Sequence, residues 1–363
     1  MKRSAARCFG PGFWLCAICA LSACAAEHVT AAAAINAGSG RRCELTICPS
    51  HFVPAAGLRT GARSVVAGGH DVWALDDDGA IYRLNANTRQ FDQFPGPAAL
   101  AWISVGGGYV LYGDWVWAGT SDGRIFRKTA AVDQWQEVAS PPGDPITFVA
   151  TGHGHNIDGC HSREDWGISA ANHSFRRNYC TDTWEVIQGS SLASIAVGGG
   201  EVWGFDSTHQ VFRFDPAMGT FNQVPGTLNR IAVGVDGVWG VLDLTPVNTG
   251  ATAIARIGAG GSLNAAKVFQ YDAATQAFVQ IPNAQMRDIA AGGNGVWALD
   301  EGGGVFRFQA ATRKFIPVPG VPLHSLTVGS GTDVWGIDQQ HAIRAFVTPA
   351  RIVLPANTIG TSP

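Results

Sequence analysis

Ser194–Gly226 reads SIAVGGGEVWGFDSTHQVFRFDPAMGTFNQVPG and contains one complete copy of a repeating unit. An apolar run ends in glycine, and a Val-Trp-Gly segment follows it. An apolar-aromatic-Arg step comes next, and an aromatic residue then opens a last segment that ends in Pro-Gly. Short apolar segments bounded by turn residues are typical of β-strands. The stretch therefore predicts four consecutive strands.

Seven copies of this unit can be aligned on a Val-Trp or Asp-Trp step. In five copies an aromatic residue of the third segment falls nine residues after the tryptophan. In the fifth copy Phe269 comes thirty residues after it, which indicates an insertion near 245–266, and in the seventh copy the ninth position is Arg344. The seven tryptophans are Trp73, Trp117, Trp166, Trp203, Trp239, Trp297 and Trp335.

Six copies close with a fourth, aromatic-led segment, and the seventh copy lacks it. The missing segment is found upstream, where SHFVPAAG places Gly57 five residues after Phe52. Four-stranded units repeated around an axis form a β-propeller. We therefore predict an all-β, seven-bladed β-propeller of four-stranded antiparallel blades, with the last blade closed by an amino-terminal strand that covers an open sheet edge. The alternative is that 352–354 supplies that outer strand.

The hairpin ALDDDGAIYR is expected to turn at Asp77-Asp78, so that Trp73 faces Tyr82 across two strands. The recurring tryptophans are interpreted as core between blades. An Asp recurs three residues after the tryptophan and either caps its own turn or accepts hydrogen bonds from sugars. Arg residues recur beside the aromatic step and are expected to pair with carboxylates of neighbouring blades. The Asp residues are Asp76, Asp206, Asp300 and Asp338, and the Arg residues are Arg83, Arg127, Arg176, Arg213 and Arg307.

Composition narrows the class of protein. The 363 residues include 46 Gly and 12 Trp, only 15% are charged, and the formal net charge is -3. Many glycines with many aromatic residues favour short strands and tight turns over a helical bundle. The mildly acidic balance argues against nucleic acid or polyphosphate partners.

The amino-terminal residues resemble an export signal. Lys2, Arg3 and Arg7 precede a short apolar stretch that ends in Leu-Ser-Ala-Cys, similar to a bacterial lipobox with Cys24 as the lipid attachment site,. We predict a signal peptide over 1–23, a flexible tether over 24–50, the propeller over 51–355 and a tail over 356–363. The protein is then an outer-membrane-anchored lipoprotein of the cell envelope, held by its lipid alone. Ordinary cleavage and free secretion is the alternative.

Four cysteines lie outside the signal: Cys43, Cys48, Cys160 and Cys180. Export would allow them to form disulfides, with three possible connectivities. The local solution pairs Cys43 with Cys48 and Cys160 with Cys180.

The unit apolar-Ala-Val-Gly-x-Gly-x-Val-Trp-Gly-x-Asp, Ile/Val-Phe/Tyr-Arg and aromatic-x-x-Val-Pro-Gly resembles the tectonin repeat of the tachylectin and tectonin-like lectins over about residues 51–347. The resemblance implies a propeller that binds lipopolysaccharide or another surface glycan. Well-known tectonin propellers have six units, so seven units here are a departure. Units two, three and five also carry insertions.

Two neighbouring units have long loops between their first and second strands, at 108–115 and 152–165. A Cys160–Cys180 disulfide would link the second loop to another loop on the same face. We predict a ligand platform there, in which aromatic rings stack on sugar and His or Asp side chains bond its hydroxyls. A decorated surface loop without function is the alternative. The predicted ligand residues are Tyr109, Tyr112, Trp115, His153, His155, His161 and Tyr179.

No cofactor or metal is predicted. His153, His155, Asp158 and His161 match no familiar zinc spacing, and the sequence contains no nucleophile elbow, HExxH, P-loop or dinucleotide motif,. The favoured function is therefore non-enzymatic binding of a glycan or lipopolysaccharide. The alternatives are a protein-interaction scaffold with an envelope partner and, third, a propeller enzyme acting on polysaccharide.

Overall fold

The computed structural model describes residues 32–35, 43–46, 50–106, 114–128, 134–153, 163–242, 266–329, 333–347 and 351–354. The described residues are all-β, and none of them belongs to a helix long and apolar enough to cross a membrane. The chain divides into two compact units. The first comprises Met1–Phe52 and Phe346–Pro363, and the second comprises Val53–Ala345.

The strands are numbered in chain order. They are β1 (Ala32–Ile35), β2 (Cys43–Thr46), β3 (His51–Pro54), β4 (Ala62–Ala67), β5 (Val72–Asp76), β6 (Ile81–Leu84), β7 (Phe91–Gln93), β8 (Leu100–Gly106), β9 (Trp115–Thr120), β10 (Ile125–Lys128), β11 (Trp135–Val138), β12 (Ile146–His153), β13 (Arg163–Ser169), β14 (His173–Asn178), β15 (Thr183–Gly198), β16 (Glu201–Asp206), β17 (Gln210–Asp215), β18 (Thr220–Thr227), β19 (Arg230–Gly234), β20 (Gly237–Leu242), β21 (Lys267–Asp272), β22 (Ala277–Gln280), β23 (Asp288–Gly292), β24 (Gly295–Leu299), β25 (Val305–Gln309), β26 (Lys314–Val318), β27 (Leu323–Val328), β28 (Val334–Asp338), β29 (Ile343–Val347) and β30 (Arg351–Leu354).

The first unit contains a three-stranded antiparallel sheet in the order β1-β2-β30. Two of its strands, β1 and β2, lie in the stretch for which the sequence predicts a flexible tether, so these eight residues are paired. Because β30 pairs with β2, residues 352–354 do not supply the outer strand of the last blade. The predicted signal peptide and tail lie outside the described residues.

The second unit is built from consecutive four-stranded antiparallel sheets, which are the blades. Blade one is β4–β7, blade two is β8–β11, blade five is β19–β22 and blade six is β23–β26. Blades three and four share β15: its residues up to Ser191 pair with β14, and those from Leu192 onward pair with β16. Blade seven has the order β27-β28-β29-β3.

The amino-terminal strand β3 completes blade seven. The amide of Ala55 donates to the carbonyl of Ile343 at 2.9 Å, and Val53 packs against a core cluster that contains Trp335. Gly57 has a positive φ of 122°, and Gly226, at the equivalent position of blade four, has a similar φ of 135°. The predicted seven-bladed propeller with a shared last blade is confirmed.

The seven repeat tryptophans are buried, each with at most 1% of its surface exposed. Each lies on the second strand of its blade, and most contact aromatic rings of the next blade. Trp166 packs on Phe214 and Phe221, with ring centroids 4.6 and 5.4 Å away. The interpretation of these residues as inter-blade core is confirmed.

The predicted register of the first hairpin is wrong by one residue. Trp73 lies opposite Arg83, and Tyr82 lies opposite Ala74. The turn is one residue longer than expected, because Gly79 adopts a φ of 77° and follows a tight turn,. A shift of one residue moves a side chain to the other face of a sheet.

The consequence is that the two rings of this hairpin face different blades. Tyr82 lies in the core cluster that contains Trp335 of blade seven. Trp73 lies in the cluster that contains Leu100 and Ile103 of blade two. In blade one the tryptophan therefore faces the following blade, and Tyr82 faces the preceding one.

A ring of glycines surrounds the axis. One glycine lies at the end of the first strand of each blade, and a Cβ built on any of them would collide with the next blade. At Gly198 that atom would lie 2.2 Å from the carbonyl oxygen of Val233, and at Gly329 it would lie 2.5 Å from that of Gly68, which closes the ring. The seven are Gly68, Gly106, Gly152, Gly198, Gly234, Gly292 and Gly329.

The recurring Asp residues cap their own turns. Asp76 Oδ1 accepts from the amides of Asp78 (3.1 Å) and Ala80 (2.8 Å). Asp206, Asp300 and Asp338 accept from turn amides in the same way. The turn-cap alternative is therefore correct at these positions, and these carboxylates contribute to stability.

Asp338 is 1% exposed. Burial alone raises the pKa of Asp338, but the amides of Ala342 and Gln340 and the Arg344 guanidinium outweigh it, so this pKa lies below its usual value. The unfolded pKa is about 3.9. The stabilisation is therefore present above about pH 4 and is lost as pH falls through the lower pKa of the folded state.

We expect Asp338→Asn to lower the free energy of unfolding by about 2 kcal/mol at pH 7, because hydrogen bonds to a charged group are lost. Urea unfolding of both proteins at pH 7 and at pH 3 measures this. The difference between them should narrow at pH 3. An equal difference at both values would show that the charge of Asp338 contributes nothing.

Candidate functional site

The predicted ligand platform is described only in part. Trp115 begins β9 and Tyr179 follows β14, and both are half-buried. Their ring centroids are 6.3 Å apart, with the planes at 71°. His153 ends β12, and nothing is described of its side chain. Tyr109, Tyr112, His155 and His161 lie outside the described residues, so the platform as a whole stays a prediction.

The hydroxyl of Tyr179 is engaged inside the protein. It donates to Oδ2 of Asp165, which is fully buried. The guanidinium of Arg127 lies 5.6 Å from the centre of the Tyr179 ring. Tyr179 can therefore offer a ligand part of its ring but not a free hydroxyl.

The hairpin between the third and fourth strands of blade three is held by local bonds. Asn178 Oδ1 accepts from the amides of Cys180 (2.9 Å) and Thr181 (3.2 Å). Cys180 is disulfide-bonded, and its partner lies outside the described residues. Pairing with Cys160, like the Cys43–Cys48 pair and the lipid on Cys24, stays a prediction.

The loop that carries His155, Asp158 and His161, for which no metal is predicted, is also outside the described residues. In the described part of the chain, no three His, Cys, Asp or Glu side chains are grouped so as to hold a metal ion.

The recurring arginines mostly pair within their own blade, which corrects the prediction of neighbouring-blade partners. Arg83 bonds Asp71 at 2.8 Å, with its guanidinium over the Trp73 ring. Each such Arg lies opposite the repeat tryptophan, so on the same face it reaches the residue two positions before that tryptophan. Arg176 pairs in this way with Glu164 and Arg213 with Glu201, whereas Arg307 bonds Asn294, three positions before Trp297.

Arg127 of blade two is the exception. Trp115 occupies the position where blades one, three and four carry the acid, so Arg127 has no carboxylate there. Instead its Nη1 lies 3.7 Å from Oδ1 of Asp182 in blade three. The expected neighbouring-blade pairing is found here.

The residue after the recurring Arg also sets blades two and three apart. In blades four, five and six it is aromatic: Phe214, Tyr271 and Phe308. These rings pack on the tryptophan of the preceding blade, with centroids 4.5 to 4.6 Å apart. In blade two the residue is Lys128 and in blade three it is Arg177, and they are 3% and 2% exposed.

A cavity of about 390 Å³ opens between blades four and five, and we call it the blade 4–5 pocket. Phe214 and Tyr271 supply its aromatic surface, and Asn222, Gln223 and Gln276 supply amides. Arg213, Asp215, Pro216, Val224 and Pro225 complete the lining. Such a mixture of rings and planar polar groups is typical of small-ligand sites.

Part of the polar lining is committed to the fold. Asp215 accepts from Ala217 and Asn222, and Arg213 bonds Glu201. Among the described residues, the side-chain amides of Gln223 and Gln276 and the hydroxyl of Tyr271 have no hydrogen-bond partner. These three groups are available to a ligand.

A second cavity, of about 510 Å³, lies between the 282–286 linker and Asp300, Phe306 and Phe315. Asp300 is committed to its turn, where its Oδ1 accepts from the amide of Gly304 at 2.7 Å. Its other polar side chains, Asn283, Gln285 and Lys314, have no side-chain hydrogen bond among the described residues, and its lining differs from that of the blade 4–5 pocket in having no tyrosine.

The sequence analysis did not single out Lys128 and Arg177, although both depart from the repeat. The third strands of blades four to six end in VFRF, VFQY and VFRF, whereas blades two and three have IFRK and SFRR. A cation in an aromatic position predicts an ion pair in the blade contact. Arg177 forms such a pair with Asp182 of its own hairpin, whereas Lys128 lies over the rings of Trp73 and Phe94.

Taken together, the consecutive four-stranded blades and the closed ring they form define a β-propeller. The family model described as "Tectonin domain" matches residues 61–243 and 243–351, which is most of the chain. The protein belongs to the tectonin domain family.

Solved structures with similar folds are β-propellers of low sequence identity. The Cps50 (Swd1) β-propeller domain of Myceliophteria thermophila is 9% identical, with a TM-score of 0.58 over 83% of this chain and 100% of that chain. YCF48 bound to D1 peptide is 12% identical, with a TM-score of 0.57 over 83% and 96%. YCF48 from Cyanidioschyzon merolae is 13% identical, with a TM-score of 0.54 over 82% and 98%. No curated protein sequence matches this chain.

Proposed function

We propose that this tectonin propeller binds carbohydrate without catalysing a reaction and that the blade 4–5 pocket is one binding site. The observation that carries the proposal is the presence of two aromatic rings beside unpaired amide and hydroxyl groups in one cavity. Sugar rings present apolar C–H faces to aromatic side chains and hydroxyls to amides. A preformed pocket on rigid strands loses little entropy when a ligand binds.

The platform on blades two and three is a second proposed contact region. Trp115 is half-exposed there and its ring lies beside Tyr179. Since the Tyr179 hydroxyl bonds Asp165, Tyr179 would contribute stacking alone. Tyr109, Tyr112 and the three loop histidines are proposed to extend this region.

A glycan array with the mature protein tests the function, and the ligand it identifies is then titrated calorimetrically. We expect Gln223→Ala combined with Tyr271→Phe to weaken binding about tenfold, because each lost hydrogen bond costs about 0.5–1.5 kcal/mol. Both changes leave the edge-to-face contact between the ring at position 271 and Trp203 in place.

The matched control is Gln280→Ala, since Gln280 occupies in blade five the position that Gln223 has in blade four. Gln280 lines neither cavity, and the Gln280→Ala variant should bind the glycan with the affinity of the unchanged protein. Unchanged binding by the double variant would place the site elsewhere. No glycan binding at all, together with a co-purifying envelope protein, would favour the scaffold alternative.

We further propose that the propeller works at the cell envelope, tethered through a lipid on Cys24. The support is the basic, apolar and Leu-Ser-Ala-Cys order of residues 1–24,. A tether would keep a glycan-binding ring close to surface polysaccharide. Labelled fatty acid that is incorporated into the protein, and lost in Cys24→Ser, measures this directly.

A further inference from the structure

Two buried guanidiniums meet one carboxylate between blades two and three, a place we call the blade 2–3 seam. Arg127 and Arg177 are 8% and 2% exposed. Both contact Oδ1 of Asp182, and the Asp182 side chain is 56% exposed. A half-exposed acid therefore stands between solvent and two buried cations.

The seam is the counterpart of the blade 4–5 pocket. Asp182 lies two residues before the aromatic residue that opens the fourth strand, and Gln276 occupies that place in blade five. Both have a positive φ, 54° and 51°. In the same way Arg177 corresponds to Tyr271. The blade 4–5 pocket is thus lined by neutral groups at the two positions where the seam has an arginine and its carboxylate.

In three blades the residue at this hairpin position points to the preceding blade. Arg89 occupies it in blade one and places its guanidinium over Trp335 of blade seven. Gln276 lines the pocket with residues of blade four. Asp182 reaches Arg127 of blade two. The identity of this residue therefore changes the chemistry of these three grooves between blades.

The two guanidiniums of the seam are not fully satisfied. The pKa of Arg177 lies below its usual value, because burial lowers it and the positive charge of Arg127 lowers it further, while Asp182 and the buried Asp165 raise it in part. Among the described residues, Nε of Arg127 and Nε of Arg177 are buried without a hydrogen-bond partner. An N–H donor that is buried and unpaired is costly, and two arginines can hold more than one carboxylate oxygen.

Aromatic rings border the same groups. Arg177 lies 5.3 Å from the centre of the Trp184 ring, and Arg127 lies over both Trp117 and Tyr179. Stacking on rings holds the guanidinium planes in place and leaves their edges for planar acceptors. Tyr179 and Trp184 are half-buried and present ring surface beside Asp182.

We propose that the blade 2–3 seam binds a sugar that carries a carboxylate and that Asp182 occupies the place of this carboxylate in the unliganded protein. The ligand's carboxylate bonds Arg127 and Arg177 after the Asp182 side chain turns outward, and its sugar ring stacks on Tyr179 or Trp184. Recognition of the carboxylate rests on the seam alone, whereas the choice of a sugar rests on the proposed function.

The test titrates sodium glucuronate, with glucose as the neutral probe, into the mature protein and its Asp182→Asn variant. Asp182 competes with the ligand for Arg127 and Arg177, so only a small fraction of the protein has its Asp182 side chain turned outward. Removing the Asp182 charge should therefore tighten glucuronate binding at least about tenfold. Glucose binding should not change. Raised salt should weaken the glucuronate complex, since the contact is ionic.

Asp182→Glu is the matched control, because it keeps the competing charge and should bind glucuronate as the unchanged protein does. Adding Arg127→Gln to Asp182→Asn should remove the gain. The midpoint of thermal unfolding with and without glucuronate gives the same comparison for any variant of reduced stability.

Equal or weaker glucuronate binding by Asp182→Asn would overturn the proposal, and so would an equal gain for glucose. Inorganic phosphate serves as an additional arm, since tighter binding of phosphate than of glucuronate would reject the carboxylate. Failure of the proposed function looks different: the combined Gln223→Ala and Tyr271→Phe changes then leave glycan binding unchanged, whatever Asp182→Asn does.

Discussion

Replacing Trp203 with alanine is expected to lower the free energy of unfolding by about 3–5 kcal/mol, the range for removal of a large buried aromatic side chain. Trp203 is fully buried. It contacts Tyr271 and Phe278 of blade five, with centroids 4.6 and 5.8 Å away, and its indole N–H donates to Glu201. The variant therefore loses a blade contact as well as a core side chain.

Denaturant unfolding followed by tryptophan fluorescence and circular dichroism measures this change. Trp115→Ala is the control, because Trp115 lies at the start of a strand with its ring half-exposed. We expect that variant to lose no more than about 1.5 kcal/mol, in keeping with partial burial. Equal losses for the two variants would contradict the placement of the repeat tryptophans as the contact between blades.

Gly198→Ala is expected to destabilise the protein by about 3 kcal/mol or more, because the added methyl group overpacks the ring of glycines. Its Cβ would lie 2.2 Å from the carbonyl oxygen of Val233. That oxygen belongs to the backbone of the next blade, so no side-chain rotation can relieve the clash. Relief requires blades four and five to move apart.

Gly302→Ala provides the comparison. Gly302 lies in a turn of blade six, where the nearest atom to an added Cβ is Asp300 Oδ1 at an ordinary 3.5 Å. Its thermal midpoint should lie close to that of the unchanged protein. If Gly198→Ala unfolded at the same temperature as Gly302→Ala, the close approach of first strands around the axis would be disproved.

The architecture was predictable because one chemical pattern recurs seven times. Each unit repeats a tryptophan, an apolar-aromatic step and an aromatic-led strand, and a repeat that cannot bury its own apolar face must stack on its neighbours. The closing strand was predictable for the same reason, since Phe52 and Gly57 keep the spacing of the other fourth strands. The positive φ at Gly57 shows how exact that match is.

The face of the sheet on which each side chain lies was harder to predict. The first hairpin carries an extra residue at Gly79, and the pattern of residue types in the sequence does not show whether a turn has two or three residues. That single residue decides whether Trp73 meets Tyr82 or Arg83. The same error hid the bonds between the recurring arginines and the acids of their own blades.

The candidate sites were the least predictable part. The platform loops stand out as insertions, whereas the blade 4–5 pocket and the blade 2–3 seam are formed by residues that are far apart in the chain and belong to different blades. Gln276 and Asp182 are recognisable as a related pair only after the hairpins are superimposed. A repeat alignment identifies the unusual Lys128 and Arg177 but not what they contact.

Closure of the ring by β3 has a consequence for how the molecule is made. The partner of Ala55, the carbonyl of Ile343, is synthesised only after nearly the whole repeat array. At about 5–20 residues per second, the ribosome leaves β3 waiting for roughly 15–60 s. Chain order therefore places closure late in folding, and until then β3 and the β29 edge of blade seven lack their partner and could be captured by another nascent chain.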